Sequence, residues 1–270
     1  MQIKIDQSYK RLDKFLFQHF ESLPLSLLQR LIRKYKIKIN NKKSKANSPL
    51  IKGDIIYIYH KFVINNDLSN TIKITKDKKK FFKDQIIFQN DDFIVINKID
   101  GYSVQRGSKV YISLKDIYEN VIEHKLYIVH RLDKDTSGLM LFAKNRMTAS
   151  KISSLFLNNQ IKKYYISVTN TKFNKNTDTL MNYNSDKKEL KLAYRKIQLN
   201  NHENCYLIKL FTGKKHQIRL QFYLNKNPII GDKKFSGNKF NKLLLCSYKI
   251  IFKLYGKFYK FKINPNKILS

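Results

Sequence analysis

The chain has 270 residues, enough for one core of ordinary size plus a small accessory domain. Its 54 Lys and Arg against 20 Asp and Glu give a formal charge of +34, which opposes compaction unless counter-charge comes from outside, most commonly from a polyphosphate backbone. Cys205 and Cys246 are too few and too far apart for a zinc site or a disulfide framework. The start has no apolar run of the secretory kind and the later apolar stretches are broken by Lys, so a cytoplasmic protein with no membrane partner is expected. The charge also has a plainer source, because Lys, Asn and Ile are over-used together, as in genomes that drift to A+T-rich codons.

Two helical patterns open the chain. Leu12, Phe15, Leu16 and His19 recur at three- and four-residue steps, and Leu27, Leu28, Leu31 and Ile32 form an apolar stripe with Arg30, Arg33 and Lys34 on other faces. Alternation over 36–39, the Asn40-Asn41 turn, and a second strand over 55–59 after Lys52-Gly53-Asp54 complete a small α/β module over residues 1–62. Residues 63–80 are polar and end in Asp77-Lys78-Lys79-Lys80, the composition of a linker. From residue 81 to 270 strands and helices alternate irregularly. Strands are predicted over 86–89 and 93–97 around the Asn90-Asp91-Asp92 turn, then over 127–130 and 139–143. A helix follows over 146–159, and further strands over 163–169, 205–211, 243–252 and 257–263. Hairpin-like runs with a few interposed helices argue an α+β fold with a mainly antiparallel mixed sheet flanked by helices.

The densest polar cluster runs from His130 to Gly138, between two apolar strands. Asp133 lies there between Arg131 and Lys134, and nearby cations keep a carboxylate ionised and nucleophilic. A capping Asp in a well-bonded turn is the plainer alternative. A second cluster, Thr212 to Arg219, ends a strand at Gly213 and starts a helix near His216, so amides and the cations Lys214, Lys215 and Arg219 converge where an anion fits. Arg219, three residues after His216, can pair with a carboxylate such as Asp133, and a phosphate-binding helix start without catalysis is equally compatible. Tyr164 and Tyr165 follow the basic pair Lys162-Lys163 in one strand, and only one of them can face the core. No phosphate-binding Gly loop, metal spacing or nucleophile elbow occurs, so no cofactor and no metal are expected.

Together these clusters resemble the RluA family of RNA pseudouridine synthases. His130–Asn145 is similar to that family's HRLDxxTSG segment and aligns its catalytic Asp with Asp133. Asn97-Lys98 to Gly101 resembles its NKPxG strand end, with Ile99 where proline is usual, and Arg106-Gly107-Ser108 is closest to the RluC-like branch. KKYYISV resembles the tyrosine motif and puts the active-site Tyr at Tyr164; FTGKKHQIRL puts the basic residue at Arg219; residues 227–237 resemble the PIxGDxxYG turn, with Phe235 where Tyr is usual. Lys214 and Lys215 replace Arg and Thr, and Cys246 stands where His is common. RLDKFL, LLQRLIRKYKIKINN and KGDIIYI resemble an alpha-L RNA-binding domain.

The resemblance implies conversion of uridine to pseudouridine in RNA, most simply large-subunit ribosomal RNA, by a monomer. Catalysis would rest on Asp133, Tyr164 and Arg219, with RNA held by Arg106, Arg131, Lys214, Lys215, His216, Arg30, Arg33 and Lys34. The same chemistry on tRNA, or ribosome assembly by an RNA binder without turnover, are the alternatives.

Overall fold

In a computed structural model the described residues are 1–20, 23, 25–60, 74–106, 112–199, 202–235 and 240–265. The chain divides into two compact units, Met1–Thr71 and Ile72–Ser270.

In the first unit α1 (Leu12–His19) and α2 (Leu25–Arg33) pack with a four-stranded antiparallel sheet ordered β1 (Gln2–Lys4), β4 (Ile55–Ile58), β2 (Ile37–Ile39), β3 (Lys42–Lys43). Its core is the pair of apolar stripes read from sequence, with Leu12, Leu16, Leu28 and Ile32 buried beside Ile37 and Ile56. Asn40 and Asn41 join β2 to β3 with φ of 48° and 61°, as a two-residue hairpin turn of the primed kind demands. A buried carboxylate ties the helices: Asp13 accepts from Arg11 (3.0 and 2.9 Å) and from Gln29 on α2 (2.8 Å). Burial alone would raise the Asp13 pKa, but the Arg11 hydrogen bond outweighs it and holds the group below the usual carboxylate range.

The second unit runs α3 (Lys76–Asp84), β5 (Ile86–Gln89), β6 (Phe93–Lys98), α4 (Leu114–Ile122), β7 (Tyr127–Ile128), β8 (Ser137–Ala143) and α5 (Arg146–Leu157). It continues with β9 (Lys162–Val168), β10 (Thr177–Tyr183), β11 (Glu189–Leu199), β12 (His202–Leu210), α6 (Gln217–Leu224), β13 (Leu245–Leu254) and β14 (Lys257–Lys262). Ten strands form one sheet in the order β10-β11-β12-β9-β13-β8-β6-β5, with β14 added to β13 and β7 to β8. The β13–β8 pair is parallel and the others antiparallel, so the sheet is mixed and mainly antiparallel, as expected. β8 is buried along its whole length, its two faces serving two separate clusters: Met140 and Phe142 join Tyr118, Tyr165 and Phe222, while Leu139 and Leu141 join Ile152 and Phe252.

Three stretches differ from expectation. Residues 76–80, read as the end of a linker, begin α3; Thr75 caps it by accepting from the Lys78 amide, and Phe82 is buried against Tyr102 and Tyr118. Much of the remaining linker stretch lies outside the described residues. α4 starts at a capping box in which Ser113 and Asp116 satisfy each other's backbone amides. Residues 170–190 hold β10 and the start of β11, where Leu190 and Leu192 are buried.

Candidate active site

The loop from His130 to Thr136 crosses the space between β7 and β8, and one buried ammonium holds two of its carbonyls. Lys98, at the end of β6 and 1% exposed, donates from Nζ to the carbonyls of Ile99 (3.1 Å), Lys134 (2.8 Å) and Thr136 (2.7 Å). Three N–H bonds on three carbonyls satisfy an ammonium, although burial pulls the Lys98 pKa down to about 8, against the raising pull of Asp100, Asp135 and Asp133. Gly138 turns the chain into β8 at φ 101°, where an added Cβ would lie 2.4 Å from the Ser247 carbonyl oxygen. His130 stacks on Phe156 at 4.3 Å, and its Nε2 accepts from the Leu141 amide at 2.9 Å, which holds the ring neutral; burial lowers its pKa to about 3 although the residue keeps an edge on the cavity.

Opposite this loop α6 begins. The Gln217 side chain accepts from Thr212 Oγ1 (2.9 Å) and the Lys214 amide (3.0 Å), closing the turn, and His216 takes a left-handed conformation (φ 53°) at the N-cap. That conformation aims His216 back at the loop, with Nδ1 2.8 Å from Asp133 Oδ2. A carboxylate only accepts, so in this contact Nδ1 carries the hydrogen, and Arg219 Nη1, 3.2 Å from the same nitrogen, cannot donate to it at the same time. Arg219, 5% exposed, lies one turn on.

Between the two loops is a cavity of about 500 Å³, lined among others by Arg131, Asp133, Phe156, Lys163, Tyr165, His216 and Arg219. Its size is ordinary for a small-ligand pocket, roughly 300–1,000 Å³. Asp133 is 19% exposed into it. Its lining combines the apolar side chains of Val129, Phe156, Leu157 and Leu245 with the cations of Arg131, Lys163, Lys214 and Lys215. Burial lowers the Lys163 pKa. Apolar and aromatic side chains in one cavity with a carboxylate can hold a planar base and stabilise positive charge that develops beside it.

Three of the expected residues have surroundings that the sequence did not disclose. Tyr164 does not line the cavity; strand alternation turns it to the opposite face of β9, under Lys249 at 4.1 Å, and puts Tyr165 in the pocket. Burial raises the Tyr165 hydroxyl pKa, Ser247 hydrogen bonding opposing this in part. Arg219 gives its two short bonds to Asp232, both 2.7 Å, and stands 3.6 Å from Asp133; His216 is the nearer partner. A buried guanidinium needs a buried counter-ion, and Asp232, 1% exposed, supplies it. Burial would raise the Asp232 pKa, but Arg219 holds it below the usual range. Arg106 is absent from the cavity lining and pairs with Asp116 at the start of α4, at 2.7 Å; Gly107 and Ser108 lie outside the described residues. Arg131, Lys214 and Lys215 are exposed at the cavity, and Arg30, Arg33 and Lys34 are exposed in the first unit. Lys98, Lys163, Tyr165 and Asp232 were missing from the expected set, although Asp232 stands in a quoted motif and Lys163 in the noted basic pair.

A family model described as RNA pseudouridylate synthase matches residues 92–223, which hold Asp133, Tyr165 and Arg219. Relatives agree over far more of the chain. Ribosomal large subunit pseudouridine synthase C of Rickettsia felis is 33% identical over 251 residues, covering 85% of this chain and 82% of that protein. An RNA pseudouridine synthase of Mycoplasma capricolum is 31% identical over 282 residues, 93% of this chain and 90% of its own. The chain belongs to the RNA pseudouridine synthase family. The fold agrees: human RNA Pseudouridylate Synthase Domain Containing 4 superposes with a TM-score of 0.58 at 20% identity, over 69% of this chain and 90% of that one. As a pseudouridine synthase the protein takes RNA as substrate, and among the described residues no helix is long and apolar enough to cross a membrane.

Proposed function

We propose that Asp133 is the catalytic carboxylate of this pseudouridine synthase and that its substrate is large-subunit ribosomal RNA. The observation that carries the reading is Asp133 itself, on a braced loop at the cavity, with His216 at 2.8 Å and Arg219 at 3.6 Å. The reaction breaks the bond between uracil N1 and the ribose anomeric carbon, turns the base, and joins the same carbon to uracil C5. The proton leaves C5 and N1 gains one, so nothing is consumed. When the first bond breaks, the sugar carbon is short of electrons, and an ionised carboxylate against it lowers the barrier by charge or by a transient ester. His216 at 2.8 Å and Arg219 at 3.6 Å keep Asp133 aimed into the cavity. The wall of Phe156, Leu157 and Tyr165 holds the base while it turns.

A stacked uridine cannot enter such a cavity. It must be flipped out, at a cost of a few kcal/mol, and contacts to the backbone offset that cost. Arg131, Lys214 and Lys215 line the cavity and are the groups for this. The first unit, read as an alpha-L type RNA-binding domain over residues 1–62, adds affinity through Arg30, Arg33 and Lys34, reading shape and backbone. Ribosomal RNA is favoured over tRNA because Ribosomal large subunit pseudouridine synthase C of Rickettsia bellii is 30% identical over 85% of the chain. Chemical mapping of pseudouridine in ribosomal RNA and tRNA from cells with and without the gene tests the substrate: sites are expected to vanish from large-subunit RNA, and loss from tRNA alone would overturn it.

A further inference from the structure

The face of the ten-stranded sheet turned away from the cavity carries an ordered set of cations. On β9, β11 and β12 one parity is buried, with Tyr165, Leu192 and Ile208 as examples; the other is exposed or half-buried at Lys162, Tyr164, Lys191 and Lys209 and is covered further along the strands at Ile166, Val168 and Cys205. Register assembles the outward residues into rows. In the first, Lys209 of β12 stands opposite Tyr164 of β9, Tyr164 opposite Lys249 of β13, and Lys249 opposite Lys262 of β14. In the second, two residues along, the amide of Phe211, beyond the end of β12, donates to the Lys191 carbonyl, and Lys162 of β9 and Lys260 of β14 both stand opposite Ile251. Neighbouring strands are about 4.8 Å apart, so each row is a comb of charges and rings.

Two features set this face apart from an ordinary solvated surface. Among the described residues none of these six lysines has an ion pair with a carboxylate, and the acids of the same parity on these strands, Glu189 and Glu203, lie near strand ends. Lys249 directly opposes Lys262, a like-charge pair that costs stability unless an anion lies over it. The rings are placed among the charges: Lys249 is 4.1 Å from the centre of Tyr164, and Lys209 and Lys191 are 5.0 and 5.7 Å from that of Phe211. Codon drift raises the lysine count everywhere and does not explain the clearing of acids from the middle of one face.

We propose that this face is a second RNA-binding surface, which takes the phosphate backbone of the substrate RNA, or of a neighbouring strand, with bases stacking on Tyr164 and Phe211. It rests on the reading that the substrate is a large structured RNA. Rows of Lys match a line of phosphates by charge, and the half-buried rings between them match unpaired bases. The surface gives affinity for long RNA, while the cavity on the other face performs the reaction. A substrate that reaches both must wrap an edge of the sheet, so a short stem-loop uses the cavity alone.

The test uses the full chain with Lys162, Lys209, Lys249 and Lys262 together changed to Gln. A matched control changes Lys76, Lys78, Lys80 and Lys83 of α3, all exposed, to Gln. Binding of a long large-subunit transcript is measured over a range of salt. Four lost phosphate contacts make the slope of log K against log salt shallower by about 3 and weaken low-salt binding at least about tenfold, while the control moves the slope by less than about 1. Turnover of a saturating short stem-loop stays within about twofold of the unaltered protein, which confirms folding. Tyr164→Leu weakens binding of the long transcript by roughly 5- to 100-fold, the range for one stacked base, with short-substrate turnover kept. An unchanged slope, or an equal change in the control, overturns the proposal. So does binding to anionic-lipid vesicles that the variant loses while RNA binding persists, because a lipid surface is then the partner. If the unaltered protein fails to convert any RNA, the Asp133 reading fails instead.

Discussion

Tyr164 and Tyr165 are chain neighbours with opposite surroundings. Tyr165 is 8% exposed and lines the cavity that holds Asp133; Tyr164 stands outside, beneath a lysine. A proton-moving or base-positioning hydroxyl is therefore available only from Tyr165. Tyr165→Phe is expected to slow single-turnover conversion by about 10²-fold, the lower end for a lost acid–base group, and Tyr164→Phe by less than twofold on a short substrate. Equal losses, or the reverse order, would contradict the placement. The pair also marks what a sequence discloses at this scale. Alternation states that one ring faces inward, and the choice between them is made by the register of β9 against β12 and β13, contacts roughly 40 and 80 residues away. Asp133 was legible because its loop is one contiguous segment. The pairing of Arg219 was not, because Asp232 and Asp133 compete for it and only folding decides which sits nearer.

At the scale of elements, the loop that carries Asp133 is held by the strands around it. His130 joins the end of β7 to β8 through the Leu141 amide and to α5 through Phe156, and it does so as an acceptor, hence neutral. Its pKa falls from 6.5 when unfolded to about 3 when folded. The unfolded chain therefore binds this proton first, so the stability it contributes is whole above pH 6.5 and is lost as pH falls towards 3. In urea unfolding between pH 6.5 and 4.5 the native protein should lose up to about 1.4 kcal/mol per pH unit more than His130→Gln, whose amide oxygen accepts the same bond without titrating. Parallel curves would show that the ring is not held neutral. Long apolar strands such as β8 and β13, and the stripes of α1 and α2, could be read from periodicity, which local packing preserves. α3 could not: its KDKKK start has the composition of a linker, and a Thr75 cap with one buried ring, Phe82, supplies what the pattern lacks. β10 and β11 escaped for the related reason that a polar outward face dilutes alternation in residues 177–199.

The whole molecule sets a charge of +34 against a substrate that is a polyanion. Such a protein binds RNA through counter-ion release, so affinity falls steeply with salt while the chemistry within a filled cavity does not. On the proposed reading, that separates binding, spread over many lysines on both units, from catalysis, confined to Asp133. The most direct measurement is therefore single-turnover conversion of uridine in a large-subunit transcript by the unaltered protein and by Asp133→Asn, with RNA affinity followed over salt in parallel. Asn keeps the shape and loses the charge. The variant should make no measurable pseudouridine while binding the transcript within about threefold of the unaltered protein and with the same steep salt slope. Pseudouridine formed at a comparable rate by Asp133→Asn would contradict the assignment of that carboxylate as the group that carries the reaction.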